Sequence, residues 1–118
     1  MLTAVAFARD GYILEYCRLH SFTIQAWSPY QYGFFECVYL GSGKYPELNA
    51  AIGRIAEKYG IEDVAVVAAW ILRHPANMQM VTGTMNAKRL AAIAKGADVV
   101  LTREEWYKIY MAAGHILP

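Results

Sequence analysis

Two cysteines, three histidines and a nearly balanced charge limit this 118-residue chain before any motif is sought. Cys17 and Cys37 have neither the spacing of a disulfide framework nor that of a zinc site. They read as small hydrophobes or thiols of a reducing compartment. His20, His74 and His115 stand far apart, which excludes a compact histidine metal motif. Eleven Lys and Arg against ten Asp and Glu give a net charge of +1. That balance offers no electrostatic case for nucleic acid or an anionic membrane. No apolar run approaches the roughly 18 residues of a membrane span. Met1–Ala8 is apolar but lacks the basic flank and the length of a signal peptide. Low-complexity tracts and internal repeats are also missing. The expected setting is cytoplasmic, with no membrane and no nucleic-acid partner.

What the chain does have is apolar residues, 57% of the total. Average globular chains hold ~45–50%. So apolar a chain collapses rather than staying disordered. Its length suits a single domain over residues 1–118. An apolar surplus in a small domain implies that some apolar surface faces a partner.

Local patterns place the elements. Leu2–Phe7 is β-branched and apolar, the composition of a short strand. Asp10 is placed to cap a helix through Leu19, with Ile13, Leu14 and Cys17 on one face. Phe22–Trp27 is a second strand candidate. Ser28–Lys44 is a long loop rich in glycine, serine and aromatics, and loops of that length are often functional. Pro46 and Gly60 frame a helix that carries Leu48, Ala51, Ile52, Ile55 and Tyr59 at helical spacing. Glu62–His74 is a helix apolar nearly all round, which means burial on most sides. Pro75 stops it. Met78–Thr82 is a strand candidate. Ala87–Lys95 is a helix that Gly96 ends. Thr102 and Glu105 form a capping box before a last helix through Ala113. Strands separated by helices imply parallel neighbours. The expected fold class is helix-rich α/β with two or three parallel strands. So few strands for so many helices suggest a piece of a larger parallel sheet or barrel.

Several motifs carry a family resemblance. Ile24-Gln25-Ala26-Trp27-Ser28-Pro29 resembles the seventh barrel strand and following loop of aldo-keto reductases. Tyr30-Gln31-Tyr32-Gly33-Phe34-Phe35 continues like one bacterial branch of that family. Ala68-Ala69-Trp70-Ile71-Leu72-Arg73-His74-Pro75-Ala76 is similar to the helix before the eighth strand. Val81-Thr82-Gly83-Thr84-Met85-Asn86-Ala87-Lys88-Arg89-Leu90 resembles that strand with its cofactor-binding turn. Leu101-Thr102-Arg103-Glu104-Glu105-Trp106-Tyr107 resembles the closing helix. The motifs run in family order and at family spacing from about Asp10 to Pro118. The resemblance implies a C-terminal (β/α)8-barrel fragment that starts near the sixth strand. Met1–Arg9 does not match the family's sixth-strand motif. The family's catalytic Asp, Tyr, Lys and His come from the first half of the barrel. No residue here corresponds to any of them, so no catalytic residue is expected.

Cofactor positions do carry over. By resemblance, Trp27 stands where the family stacks an aromatic ring on nicotinamide, a flat platform for a flat ring. Ser28 and Tyr30 match loop positions near the pyrophosphate, where backbone N–H groups suit phosphate. Gly83, Thr84, Asn86 and Arg89 match the turn that receives the adenosine ribose phosphate. A hydroxyl and N–H groups at a helix start suit such a group, and Arg89 adds charge. Gly83 stands where many relatives have a lysine, which weakens a preference for the 2′-phosphate. Each residue also has a plain structural role. Trp27 serves equally as a core or loop-base aromatic, Ser28-Pro29-Tyr30 as a turn, Asn86 as a helix cap and Arg89 as a solvated side chain. The residues alone leave both readings open. NADP or NAD is the cofactor implied, with no tight binding expected from part of an enclosure.

Other constellations carry less. Glu104 and Glu105 point to different faces of a helix and suit its N-terminus better than acid–base chemistry. Tyr30, Tyr32, Phe34, Phe35 and Tyr39 suit a substrate pocket or a loop packed on a neighbour. Trp106, Ile109, Tyr110 and Ala113 form a core stripe. The expected protein is a truncated aldo-keto reductase-like chain, inactive alone and self-associating, most simply a homodimer. A parallel fragment has open edges and bared faces, and the near-continuous apolar helix Val64–Leu72 fits that picture. The alternatives are a nicotinamide-dinucleotide-binding module and one half of a two-chain oxidoreductase completed by a complementary barrel-half chain.

Overall fold

A computed structural model describes residues 11–32 and 38–117. The expected strand Leu2–Phe7, the cap Asp10, Cys37 and the loop aromatics Phe34 and Phe35 lie outside the described residues. In chain order the elements are α1 (Gly11–Leu19), β1 (Ile24–Ala26), α2 (Pro46–Tyr59), α3 (Asp63–Arg73), β2 (Met78–Met80), α4 (Ala87–Ala94) and α5 (Arg103–Ala112). A short 3-10 turn, Lys95–Asp98, follows α4.

β1 and β2 are parallel neighbours, with Ile24 opposite Met78 and Ala26 opposite Met80. The helices between them supply the crossover that parallel neighbours need. Both strands are shorter than their sequence patterns. Phe22 and Trp27 fall outside β1 and are 53% and 64% exposed. Among the described residues each strand has one neighbour, so its ends gain little from pairing. Alternation divides the sheet into two faces. Ile24, Ala26, Met78 and Met80 pack toward the core. On the other face Gln25 Nε2 donates to Gln79 Oε1 at 3.4 Å, and Asn77 Nδ2 donates to Thr23 Oγ1 at 2.8 Å. That second face is polar and its amides serve one another.

The core forms around α3. Residues Ala65 to Ile71 are buried without a break, as an all-round apolar helix requires. Its covers come from the same chain: α2, α4, β2 and the 3-10 turn. The expectation that this helix bares an apolar face for a partner is therefore corrected. Among its apolar residues only Leu72, near its end, is exposed, at 40%.

Gly96 is a second correction. It does not stop α4 in a left-handed conformation. α4 ends at Ala94, and Gly96 lies buried within the 3-10 turn. A Cβ there would lie against the Ala65 carbonyl and 2.7 Å from Ala68 Cβ. The missing side chain lets the turn approach α3 closely. Gly60, by contrast, has the expected stop conformation, with φ of 63° and its N–H directed to the Ala56 and Glu57 carbonyls.

α5 begins with the expected capping box, Thr102 and Glu105 bonded reciprocally. Ile109 is buried, and Trp106, Tyr110 and Ala113 pack against the core. α1 differs from its single-face pattern. Leu14 is buried and Cys17 is half-buried, but Ile13 is 47% exposed.

Candidate functional site

Parallel strands send their following turns to one end. The Val81 N–H donates to the Ala26 carbonyl at 2.9 Å just beyond β2. Past that bond residues 27–30 leave β1 and residues 82–86 leave β2. The candidates Trp27, Ser28, Tyr30, Gly83, Thr84, Asn86 and Arg89 thus belong to the C-terminal end of the sheet, where barrel enzymes bind their ligands.

The first turn is strained. Ser28 has φ of 48°, a left-handed value uncommon outside glycine. Its carbonyl accepts the Gln31 N–H at 3.1 Å. Trp27, just before, is 64% exposed. Tyr30 is engaged elsewhere: its hydroxyl donates to the Val64 carbonyl at 3.0 Å, in the first turn of α3. Burial pushes its phenol up to about 12. Tyr30 therefore anchors the turn to α3.

The second turn is built as a helix cap. The Thr84 hydroxyl oxygen accepts the Asn86 N–H at 3.2 Å, and Asn86 Oδ1 accepts the Arg89 N–H at 3.1 Å. Gly83, Asn86 and Arg89 are exposed and Thr84 is half-buried. The first turn of α4 carries no acidic residue, so nothing there neutralises the positive end of the helix dipole. Chemically this end presents a flat ring, N–H groups at a helix start and a guanidinium. Those groups suit a stacked heteroaromatic ring and a phosphate. Among the described residues no group of His, Cys, Asp or Glu is arranged to hold a metal.

The long loop after β1 is firmly folded. Gln31 and Val38 form an antiparallel bridge. Tyr39 is fully buried, and its hydroxyl donates to the Pro29 carbonyl at 3.0 Å. Burial, with a smaller push from Tyr30, raises that phenol far above its usual range. Tyr32 is buried edge-on to Tyr45, ring centres 5.3 Å apart. Tyr32 and Tyr39 are core residues here. Asn49 of α2 fastens the loop. Its Nδ2 lies 2.9, 3.2 and 2.8 Å from the carbonyls of Tyr39, Ser42 and Tyr45. Its Oδ1 accepts the Gly41 N–H at 2.8 Å. Sequence reasoning missed Asn49. The available signal was an amide in the helix interior, where its propensity is poor.

The reach of Glu105 to Lys58 and Tyr59, beyond its expected capping box, was also missed and lies away from the strand ends. Glu105 accepts from Lys58 Nζ, from the Tyr59 hydroxyl at 2.9 Å and from the Thr102 N–H at 2.8 Å. Burial alone would raise its carboxyl, but these donors outweigh burial and hold it at about 2. This cluster ties α2 to α5 and has no part in the strand-end site.

The family model for the aldo/keto reductase family matches residues 8–112. The chain belongs to the aldo/keto reductase family. It is 36% identical over 100 residues to a 6-dehydroglucose reductase of Agrobacterium fabrum, which spans 85% of this chain and 32% of that protein. A 6-dehydroglucose reductase of Novosphingobium aromaticivorans is 27% identical over 106 residues, with 89% and 34% covered. The crystal structure of a thermostable aldo-keto reductase, Tm1743, shares the fold with a TM-score of 0.70 at 24% identity. It covers 88% of this chain and 34% of its own. The chain thus spans about a third of the length of the curated relatives it matches. Its two parallel strands and their helices are a fragment of the aldo/keto reductase barrel. None of the described helices is long and apolar enough to cross a membrane.

Proposed function

We propose that these 118 residues form the cofactor end of an aldo/keto reductase barrel, lack carbonyl reduction by themselves and self-associate in the cytoplasm. The observation that carries this reading is the pairing of two strand-end turns on a chain that spans about a third of its relatives. Hydride transfer to a carbonyl needs a proton donor tuned near working pH and held within reach of the oxygen. No residue here matches the family's Asp, Tyr, Lys or His. Tyr30, the tyrosine of the strand-end turn, spends its hydroxyl on Val64 and titrates at about 12.

NADP or NAD is the family's cofactor, and its hydride would be what the bound group supplies. Trp27, Ser28, Gly83, Thr84, Asn86 and Arg89 supply part of an enclosure. Ligands in such sites are ~70–90% buried, so this part alone binds weakly. The sheet supports self-association: among the described residues β1 and β2 pair only with each other, and an open strand edge is a template for pairing with another chain.

The test is a nicotinamide oxidation assay with simple aldehydes and with 6-dehydroglucose, the sugar named by two relatives. No turnover above buffer is expected. Turnover that survives repurification overturns the reading. A calorimetric titration separates the alternative of a dinucleotide-binding module, which requires micromolar affinity that is lost in Arg89→Ala.

A further inference from the structure

α1 is apolar on two opposite sides and covered on one. Leu14 and Cys17 face inward, buried and half-buried. Tyr12, Tyr16 and Leu19 follow one another at spacings of four and three, which lines them up on the outer side. They are 85%, 57% and 79% exposed. The stripe continues past the helix. The Tyr16 ring lies 4.3 Å from the His20 ring and 6.2 Å from that of Phe22, which is itself exposed. A helix apolar on both sides belongs between two layers, and a contiguous apolar patch marks an interaction surface.

We propose that a second copy of this chain covers this stripe, α1 against α1 about a twofold axis. The proposal rests on the self-association reading above and names its surface. Area supports it first. At ~150–250 Å² for a full aromatic side chain, the open parts of Tyr12, Ile13, Tyr16, Leu19 and Phe22 amount to on the order of 600 Å². A standard interface takes ~800 Å² from each partner. Charge supports it next. Glu15 and Arg18, the charged residues of α1, pair with each other at 2.9 Å. Two identical faces then meet without like-charge repulsion, and the face offers no net charge to an acidic or basic partner.

The spacing is self-complementary as well. In an antiparallel pair Tyr12 of one copy meets Leu19 of the other, and Tyr16 meets its own mate near the axis. A twofold interface requires such reciprocal contacts. The sheet face of Gln25 and Gln79 is polar and α3 is covered, so neither offers a comparable apolar seam.

Sedimentation equilibrium over a tenfold or wider concentration range tests this, on the full chain, the double variant Tyr12→Lys with Leu19→Lys, and the control Val100→Lys. Val100 is 74% exposed and lies outside the seam. The wild type is expected at twice 13.2 kDa. Dissociation should be at least ~100-fold easier in the double variant, the loss expected of central apolar anchors, and unchanged in the control. A monomeric wild type at high micromolar concentration overturns both the seam and the self-association reading. That includes a monomer that pairs instead with a chain carrying the other barrel strands, or one that folds its own first ten residues over α1. A dimer that persists in the double variant overturns the seam alone. Should that variant fail to fold, Tyr16→Cys in a Cys17→Ala, Cys37→Ala background gives a second reading. Mild oxidation should cross-link it into a dimer far faster than Val100→Cys in the same background, and equal rates overturn the proposal.

Discussion

Trp70 and Trp106 hold each other reciprocally: each indole N–H donates to the other residue's backbone carbonyl, both at 3.0 Å. Their rings are parallel, 4.7 Å between centres and 7° between planes. Tyr110 also stacks on Trp106, at 5.5 Å. A carbonyl oxygen has two lone pairs, so a helical carbonyl can accept an indole N–H besides its helical bond. The pair therefore clamps α3 to α5 without disturbing either helix.

Trp106→Phe removes one of the two indole bonds and part of the stack. The expected cost is ~2–3 kcal/mol, combining a lost hydrogen bond, lost stacking and a small cavity. Urea denaturation measures it. The near-UV circular dichroism of the coupled indoles should vanish in the same variant while helix content stays.

Acid should weaken the fold in two windows. Glu105 titrates at about 2 when folded against an ordinary value of 4.5, so the unfolded chain takes up the proton first. Its contribution is full above about 4.5 and is lost as pH falls toward 2. His74 is lowered below 6.5 by burial and by the nearby Arg18, against a smaller opposing pull from Glu15. Its Nδ1 accepts the Ala76 N–H at 3.1 Å, which requires the unprotonated ring atom. The unfolded histidine again binds the proton more readily, so stability falls as pH drops below 6.5. Denaturation at several pH values checks this. Glu105→Gln should cost ~2 kcal/mol at neutral pH through its charge-assisted bonds and abolish the lower window.

Two glycines should respond differently to alanine. At Gly60 the space is open and only φ opposes a side chain, so Gly60→Ala should cost ~1 kcal/mol. At Gly96 the new methyl meets the Ala65 carbonyl and Ala68. Gly96→Ala should cost ~3 kcal/mol, the upper range of overpacking, and thermal denaturation should rank the two in that order.

Asn49→Ala should free the loop after β1. The variant loses the bonds to Tyr39, Ser42, Tyr45 and Gly41, at a cost of ~2–3 kcal/mol. Hydrogen exchange at the Gly41 amide should quicken more than exchange in α3. Equal acceleration in both would show a general loosening of the fold.

Much of this architecture was legible from neighbours in sequence. Pro46 and Gly60 mark the ends of α2 because caps depend on residues within one turn. Thr102 and Glu105 announce the start of α5 for the same reason. The motifs around Trp27 and Asn86 announced the two strand-end turns. What stayed hidden was reciprocity across distance. Lys58 meets Glu105 over 47 positions and Trp70 meets Trp106 over 36. Gly96 looked like a helix stop because its neighbour α3 is not encoded beside it.

By itself the sequence determined the helices, most of their ends and the parallel strand order. These depend on local spacing and on motifs a few residues long. Tertiary structure alone decided which apolar faces are covered. α3, the most apolar helix, is closed on nearly every side by its own chain, while α1 keeps an aromatic stripe open. Exposure is a property of what a neighbouring element supplies, and no local pattern contains that neighbour.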